Sequence, residues 1–112
     1  MKSVIIFALL LLTGLNSACD KSYSQLCGGD EPDKSLPWLK NEIQRLSSSA
    51  FCNSISRSTY KNQTVFILSN CDPNVDSRPL LYDCEGNQLT LNAEDYQNLN
   101  FTGEIELIWK SK

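Results

Sequence analysis

The sequence predicts an α+β fold: one amphipathic helix packed on a four- to five-stranded antiparallel meander sheet that disulfides staple together. Three observations lead to this prediction. A stretch near residue 40 repeats apolar residues at helical spacing, and the following stretch is rich in strand formers interrupted by turn residues. The chain also has five cysteines in 112 residues and no histidine. Together these features are typical of a small exported domain that needs crosslinks to supplement its core.

The N-terminal stretch has the pattern of an export signal. Lys2 precedes an apolar run over 4–12, which is too short to span a bilayer, and the stretch ends at Ser17-Ala18-Cys19. Residues 1–18 are therefore interpreted as a signal peptide. The end of this signal resembles a bacterial lipobox, in which the cysteine is acylated, for example with palmitate, and becomes the mature N-terminus. Asn16 stands where such boxes usually carry an aliphatic residue, so an ordinary secretory signal with Cys19 left as a thiol or a disulfide partner stays open as the alternative.

The mature chain is predicted to consist of a tether and one domain. Residues 19–35 are polar and contain the run Gly28-Gly29-Asp30-Glu31, which indicates a lipid-anchored flexible tether. Residues 36–112 are predicted to form a single α+β domain. The formal net charge of the whole chain is -3, without a basic cluster, so nucleic acid is not an expected partner.

The first element of the domain is a helix over residues 36–48. Ser35 is its expected N-cap, Pro37 fits its first turn, and Trp38 is expected to pack at the edge of the core. The core-facing side carries four apolar residues at helical spacing: Leu36, Leu39, Ile43 and Leu46.

A β-hairpin follows the helix. Runs of strand formers over 55–60 and 64–69 flank Lys61-Asn62, and asparagine tolerates the left-handed backbone of a tight turn. If Tyr60 lies opposite Gln63, the same register places Cys52 opposite Cys71. We therefore favour a Cys52–Cys71 disulfide, which leaves Cys27 to pair with Cys84, although four cysteines allow three connectivities and the other two stay open.

The rest of the chain is predicted to add strands and a short helical turn. Residues 79–84 and 88–91 are expected to form the third and fourth strands around the turn Glu85-Gly86-Asn87. Asn92 is expected to cap a helical turn. In the last segment, Ile105, Leu107 and Trp109 alternate with Glu104 and Glu106, which predicts a final strand whose glutamates face water.

No catalytic centre is predicted. The absence of histidine excludes Ser-His-Asp and Cys-His catalysis and the zinc sites that mix cysteine with histidine. The carboxylates Asp72, Asp76, Asp83 and Glu85 are interpreted as solvated turn residues, and no cofactor is expected. The triplets that begin at Asn62 and Asn100 are glycosylation sequons, which matter only in a eukaryotic secretory pathway.

The loop over residues 72–78 is the candidate binding element, through Asp72, Asn74, Asp76 and Arg78. A calcium site is an alternative use of it, since Asp72, Asn74 and Asp76 match the first half of an EF-hand loop and Asp83 lies at its twelfth position. Ser77 takes the place of the required glycine, and the flanking segments are predicted strands rather than helices. Whether the loop binds calcium stays open at this point.

Several short motifs between residues 36 and 89 resemble a set of small exported bacterial lipoproteins that carry a domain of unknown function. The resemblance depends on Trp38-Leu39, Thr64-Val65-Phe66, Cys71-Asp72 and the run Leu81-Tyr82-Asp83-Cys84-x-Gly86-Asn87. It implies a shared α+β scaffold and carries no catalytic residue. In the set the aspartate follows two adjacent cysteines, whereas here Asn70 precedes a single cysteine.

These observations lead to a functional expectation. The protein is expected to be a non-enzymatic lipoprotein of the cell envelope, anchored by acylated Cys19 on the periplasmic side of a membrane, that presents a binding surface to a protein or glycan partner. It would be secreted if Cys19 were not acylated. The alternatives are an inhibitor of an envelope or extracellular enzyme such as a lysozyme or protease, and a subunit of an envelope assembly.

Overall fold

A computed structural model describes residues 26–112, so the expected signal peptide and the acylation site Cys19 lie outside the described residues. The described chain forms three helical segments and four strands. In chain order these are α1 (Pro32–Ser35), α2 (Pro37–Ser47), β1 (Asn53–Tyr60), β2 (Gln63–Asn70), β3 (Leu80–Tyr82), α3 (Ala93–Gln97) and β4 (Thr102–Lys110).

The β1–β2 hairpin has the register that the sequence predicts. Tyr60 lies opposite Gln63, and the pairing continues to Asn53 opposite Asn70. The turn residues Lys61 and Asn62 have φ values of 49° and 66°, the left-handed conformation of a tight two-residue turn. The turn thus determines which residues of the two strands face each other.

The remaining strands extend the hairpin on both sides into an antiparallel sheet of order β3-β2-β1-β4. The chain is a meander only through β3, because β4 returns to the far edge beside β1. The predicted strand over 88–91 does not form, and only an isolated bridge joins Tyr82 to Gln88. Leu89 and Leu91 instead pack against one face of the sheet, where they bury apolar surface that an edge position would leave in water.

The core has two layers, one on each face of the sheet. On the helix face, Leu39 and Leu46 of α2 pack against Ile55 and Phe66. On the opposite face, the segment that contains α3 covers a second buried cluster: Tyr60, Val65, Ile67 and Leu81.

The start of α2 differs from the prediction. Leu36 is the N-cap, and Pro37 occupies the first helical position, where its missing N–H needs no partner. Ser35 does not cap α2; its hydroxyl donates to the carbonyl oxygens of Gly28 at 2.6 Å and Glu31 at 3.2 Å. The extra turn α1 explains the change, because it already includes Ser35.

Two disulfides join distant parts of the chain. The bonded pairs are Cys27–Cys84, with Cα atoms 6.0 Å apart, and Cys52–Cys71, with Cα atoms 5.1 Å apart. These are the two pairs that the sequence favoured. Cys52–Cys71 closes the open end of the hairpin, where the Cys71 amide also donates to the Cys52 carbonyl oxygen at 3.0 Å.

The stretch from residue 26 to Ser35, assigned to the tether from the sequence, packs on the sheet. The Cys27 amide donates to Thr64 Oγ1 at 3.1 Å, and Pro32 is buried. The guanidinium of Arg57, a residue only 1% exposed, donates to the carbonyl oxygens of Cys27 at 2.9 Å and Gly29 at 2.6 Å. The same guanidinium pairs with Glu106 Oε1 on β4 at 2.7 Å. One buried side chain of β1 therefore holds both the N-terminal stretch and β4.

Trp38 also links the helix to the N-terminal disulfide. Its indole Nε1 donates to the Cys84 carbonyl oxygen at 2.8 Å, and its ring lies edge-on to Phe66 with centroids 5.4 Å apart. Gly86 lies against this ring at φ 89°, where a Cβ atom would come within 2.7 Å of Trp38 Cγ. The position requires glycine both for its backbone conformation and for the close approach.

We expect Arg57→Leu to lower the free energy of unfolding by about 2–4 kcal/mol, because the carbonyl groups of Cys27 and Gly29 lose their donor and remain partly buried. Urea denaturation followed by far-UV circular dichroism measures the change. The matched control is Arg45→Leu, which removes an exposed arginine that pairs with Glu42 three residues earlier on α2. Its unfolding midpoint should stay close to that of the unmodified chain. Equal destabilisation by the two changes would show that the buried Arg57 contacts contribute no more to the free energy of unfolding than an exposed ion pair does.

Candidate functional site

The loop between β2 and β3 forms an exposed surface at the open end of the hairpin. Asn74, Asp76 and Arg78 are exposed and Asp72 is half-buried. The Asn70 side-chain oxygen accepts from the Asp72 amide at 2.8 Å, and Asp72 Oδ1 accepts from the Asn74 amide at 3.0 Å. These side-chain caps organise the first turn of the loop locally, as is common for asparagine and aspartate.

Both ends of the loop are fixed to the rest of the domain. At its start, Cys71 is bonded to Cys52. At its end, Arg78 stacks over the Tyr96 ring with its Cζ atom 5.0 Å from the centroid, and the Tyr96 hydroxyl donates to the Pro79 carbonyl oxygen at 3.0 Å. Both ends of the loop are therefore held in place by contacts with the rest of the domain.

Tyr96 is a member of the site that the sequence did not identify. It lies on α3, whose N-terminus has the capping box formed by Asn92 and Asp95, so the predicted cap at Asn92 is correct. The sequence offered no signal for the contact with Arg78, because the two residues are joined only by the way the segment after β3 folds back over the sheet.

Two exposed apolar side chains lie at the same end of the sheet as the loop. Val75 in the loop is 43% exposed, and Phe51, immediately before Cys52, is 69% exposed. We call Phe51 and residues 71–79 together the loop end. It combines exposed apolar groups with carboxylates and one arginine, which is a composition suited to contact with another macromolecule.

The candidate calcium ligands of the loop are not grouped together in the structure. Within residues 26–112, no three Asp, Glu, Cys or His side chains are grouped so that they could hold a metal ion. Asp83, the expected twelfth ligand, instead organises the turn after β3: its Oδ1 accepts from the amides of Glu85 at 3.0 Å and Asn87 at 2.9 Å. Its carboxylate is thus committed to its own turn.

Hydrogen bonding explains the titration of Asp83. The Asn87 amide, helped by the Asn87 side chain and the Glu85 and Gly86 amides, stabilises the charged carboxylate and lowers its pKa below the ordinary value. For Tyr82, burial raises the pKa of the phenol above its ordinary value. Neither group has the raised carboxyl pKa or lowered phenol pKa that an acid or base catalyst at neutral pH would need.

Two surface depressions of the described residues adjoin α2. The apolar one between α2 and the sheet, beside Trp38 and Tyr82, has a volume of about 10 Å³, which is room for one water molecule at most. A wider one, about 410 Å³, is a surface hollow beside the helices lined by Asp33, Lys34, Lys40, Ile43 and Gln44.

Comparisons of the chain with protein-family models, with curated proteins and with solved structures gave no match. The helices within residues 26–112 lack the length and apolar character that a membrane-spanning segment requires.

We expect Asp83→Asn to destabilise the protein at neutral pH and to have little effect in acid. Because the folded-state pKa of Asp83 is lowered, its charged form contributes stability above the unfolded pKa of about 3.9, and this contribution disappears as the pH falls through the folded pKa. Urea titrations between pH 7 and pH 3 measure the difference between the variant and the unmodified chain. The control is Asp76→Asn, an exposed loop position whose side chain makes no hydrogen bond within residues 26–112. A difference that persists unchanged at pH 3 would contradict the assignment.

Proposed function

We propose that the protein is a non-enzymatic, lipid-anchored domain of the cell envelope that uses its loop end to bind a partner protein or glycan. The observation that carries the proposal is the exposed loop over 72–78, held at one end by Cys52–Cys71 and at the other by Tyr96. A loop that is already ordered loses little conformational entropy when it binds, so more of its contact energy appears as affinity.

The position of the N-terminal stretch supports this use of the loop end. Cys27 contacts Thr64, which lies two residues after the hairpin turn, whereas the loop end begins beyond the opposite ends of the same strands. Strands of eight residues separate the two places by about 25 Å. A chain that reaches a membrane through residues 19–25 would therefore leave the loop end unobstructed.

The cysteine pairing supports acylation of Cys19. Two disulfides use four of the five cysteines, and the one that remains is the cysteine at the end of the signal-like stretch. Disulfides also fit an exported protein, since they persist in oxidising compartments. We place the domain on the periplasmic side of a membrane and regard it as similar to the small bacterial lipoproteins that its motifs resemble.

An enzyme inhibitor is the second candidate, and the same loop favours it. Val75 is exposed between two fixed ends, and an apolar side chain on a rigid loop can insert into the cleft of a lysozyme or a protease. This candidate differs from the first only in the identity of the partner, so an activity assay separates the two.

The anchor is tested by the intact mass of the protein purified from its native host. We expect the mature chain to begin at Cys19 and to carry the added mass of acyl chains, and reduction should add two hydrogen atoms for each of the two disulfides. A chain that begins elsewhere without acyl groups, or one with glycans on Asn62 or Asn100, would contradict the lipoprotein assignment.

The binding role is tested by placing a photo-crosslinking amino acid at Val75 in the native host. We expect one adduct of defined mass, because an exposed side chain in the middle of the proposed surface should touch the partner. The control position is Lys61 in the hairpin turn, which is also exposed and lies at the opposite end of the strands.

Identical adducts from Val75 and Lys61, or none from Val75, would contradict binding at the loop end. If the adduct contains an envelope or extracellular hydrolase, assays of that enzyme with the protein at micromolar concentration decide between the candidates. Inhibition that is lost in Val75→Asp and kept in Lys61→Asp supports the inhibitor, and full enzyme activity excludes it.

A further inference from the structure

A further hollow lies between the end of α2 and the end of β4. Its volume is about 250 Å³, which is smaller than the clefts that hold a whole drug-sized ligand. Three serines, two lysines and a tryptophan line it: Ser47, Ser49, Trp109, Lys110, Ser111 and Lys112. No carboxylate side chain of residues 26–112 is part of this lining. The hollow therefore has room for one small group of a ligand and a positively charged wall.

The hollow adjoins the loop end. The Phe51 amide donates to Ser49 Oγ at 3.1 Å, and the Asn53 amide donates to Ser111 Oγ at 2.8 Å. These two bonds fix the segment over 51–53 to two of the serines that line the hollow. Phe51 is 69% exposed. An exposed apolar residue of the loop end and the hollow therefore belong to one surface.

The side chains of the hollow offer hydrogen-bond donors. The oxygens of Ser49 and Ser111 each accept a backbone amide, and within residues 26–112 neither hydroxyl donates to another group. A hydroxyl has one hydrogen, so each of the two can still donate it. Lys110 and Lys112 add ammonium groups, and the ion pairs of the described chain involve other cations. Charged donors and hydroxyls in one place are suited to binding a carboxylate.

The carbonyl groups at the end of α2 leave these donors available. The C-terminus of a helix carries partial negative charge, which attracts cations and repels anions. Here the hydroxyls of Ser47 and Ser48 donate to carbonyl oxygens of the last turns, at 2.6 Å and 3.0 Å. The Ser49 amide donates to the Leu46 carbonyl oxygen at 3.1 Å. Because these acceptors already have partners, the two lysines can serve a ligand.

The place of the hollow disfavours a lipid headgroup as its anion. The hollow lies at the open end of the hairpin, because Ser111 contacts Asn53, the first residue of β1. The N-terminal stretch instead contacts Thr64, beside the hairpin turn at the other end of the strands. A membrane that is reached through residues 19–25 is therefore remote from the hollow.

We propose that the hollow receives a carboxylate side chain from an acidic segment of a partner protein, while an apolar residue of the same segment packs on Phe51. A peptide brings acidic and apolar side chains close together, as this surface requires. The whole chain has a formal net charge of -3, so the local excess of cations selects an acidic group. The inference rests on the proposed function, because it names the chemistry of the partner that the loop end binds.

The ligand chemistry is tested with a capped peptide of leucine, glutamate and leucine, added to the full chain in nonionic detergent and followed by amide NMR. We expect the signals of Phe51, Asn53 and Ser111 to shift with a Kd of about 1 mM. The control peptide has glutamine in place of glutamate and should bind about tenfold more weakly, because it lacks the charge. Equal binding of the two peptides, or an absence of shifts at these residues, would overturn the proposal.

The role of the cations is tested with Lys110→Gln and Lys112→Gln in the same titration. Each change should raise the Kd of the glutamate peptide about threefold, and the double change should raise it about tenfold. The control is Lys61→Gln, which removes an exposed lysine at the other end of the hairpin and should leave the Kd unchanged. An unchanged Kd in the double variant would contradict the role of the two lysines.

A sugar acid separates a protein partner from a glycan. Glucuronic acid has a carboxylate but no apolar side chain to cover Phe51, so we expect it to bind about tenfold more weakly than the glutamate peptide. Tighter binding of glucuronic acid than of the peptide would overturn the assignment to a protein segment.

Crosslinking in the native host distinguishes failure of this inference from failure of the proposed function. The photo-crosslinking amino acid at Val75 is combined with Lys110→Glu and Lys112→Glu, which should lower the yield of adduct about tenfold by repelling an acidic segment. An unchanged yield would overturn the role of the hollow and leave binding at the loop end intact. Absence of an adduct in the chain with both lysines would contradict binding at the loop end, and the peptide titrations would still decide on the hollow.

Discussion

The buried guanidinium of Arg57 is the interaction on which the arrangement of the domain depends. It lies on the helix face of the central hairpin and uses its donors on three different places: Cys27, Gly29 and Glu106. An arginine side chain with no exposed surface is tolerated only when its donors are satisfied, and here two backbone carbonyls and a half-exposed carboxylate satisfy them. Because the three partners come from the N-terminal stretch and the last strand, one residue of β1 joins the two ends of the described chain.

The position of Arg57 in the sheet determines where the N-terminal stretch packs. Arg57 lies opposite Phe66, which α2 covers. The stretch around Cys27 therefore packs on the helix face of the sheet. The Cys27–Cys84 disulfide and the contact of Trp38 with the Cys84 carbonyl fix the same stretch from the other side. The loop end has no part in this junction. The N-terminal stretch and the loop end therefore lie in different places on this small domain.

The sequence predicts features that depend on neighbouring residues better than contacts between distant segments. Lys61-Asn62 fixed a register through local backbone geometry, and that register placed Cys52 opposite Cys71, so the hairpin and its disulfide could be predicted. The cap at Asn92 is local too. By contrast, the alternation at Ile105 and Leu107 says that one side of a strand is apolar but not that another segment covers it. The role of Arg57 and the Arg78–Tyr96 contact depend on segments far apart in sequence, for which a single chain offers no signal.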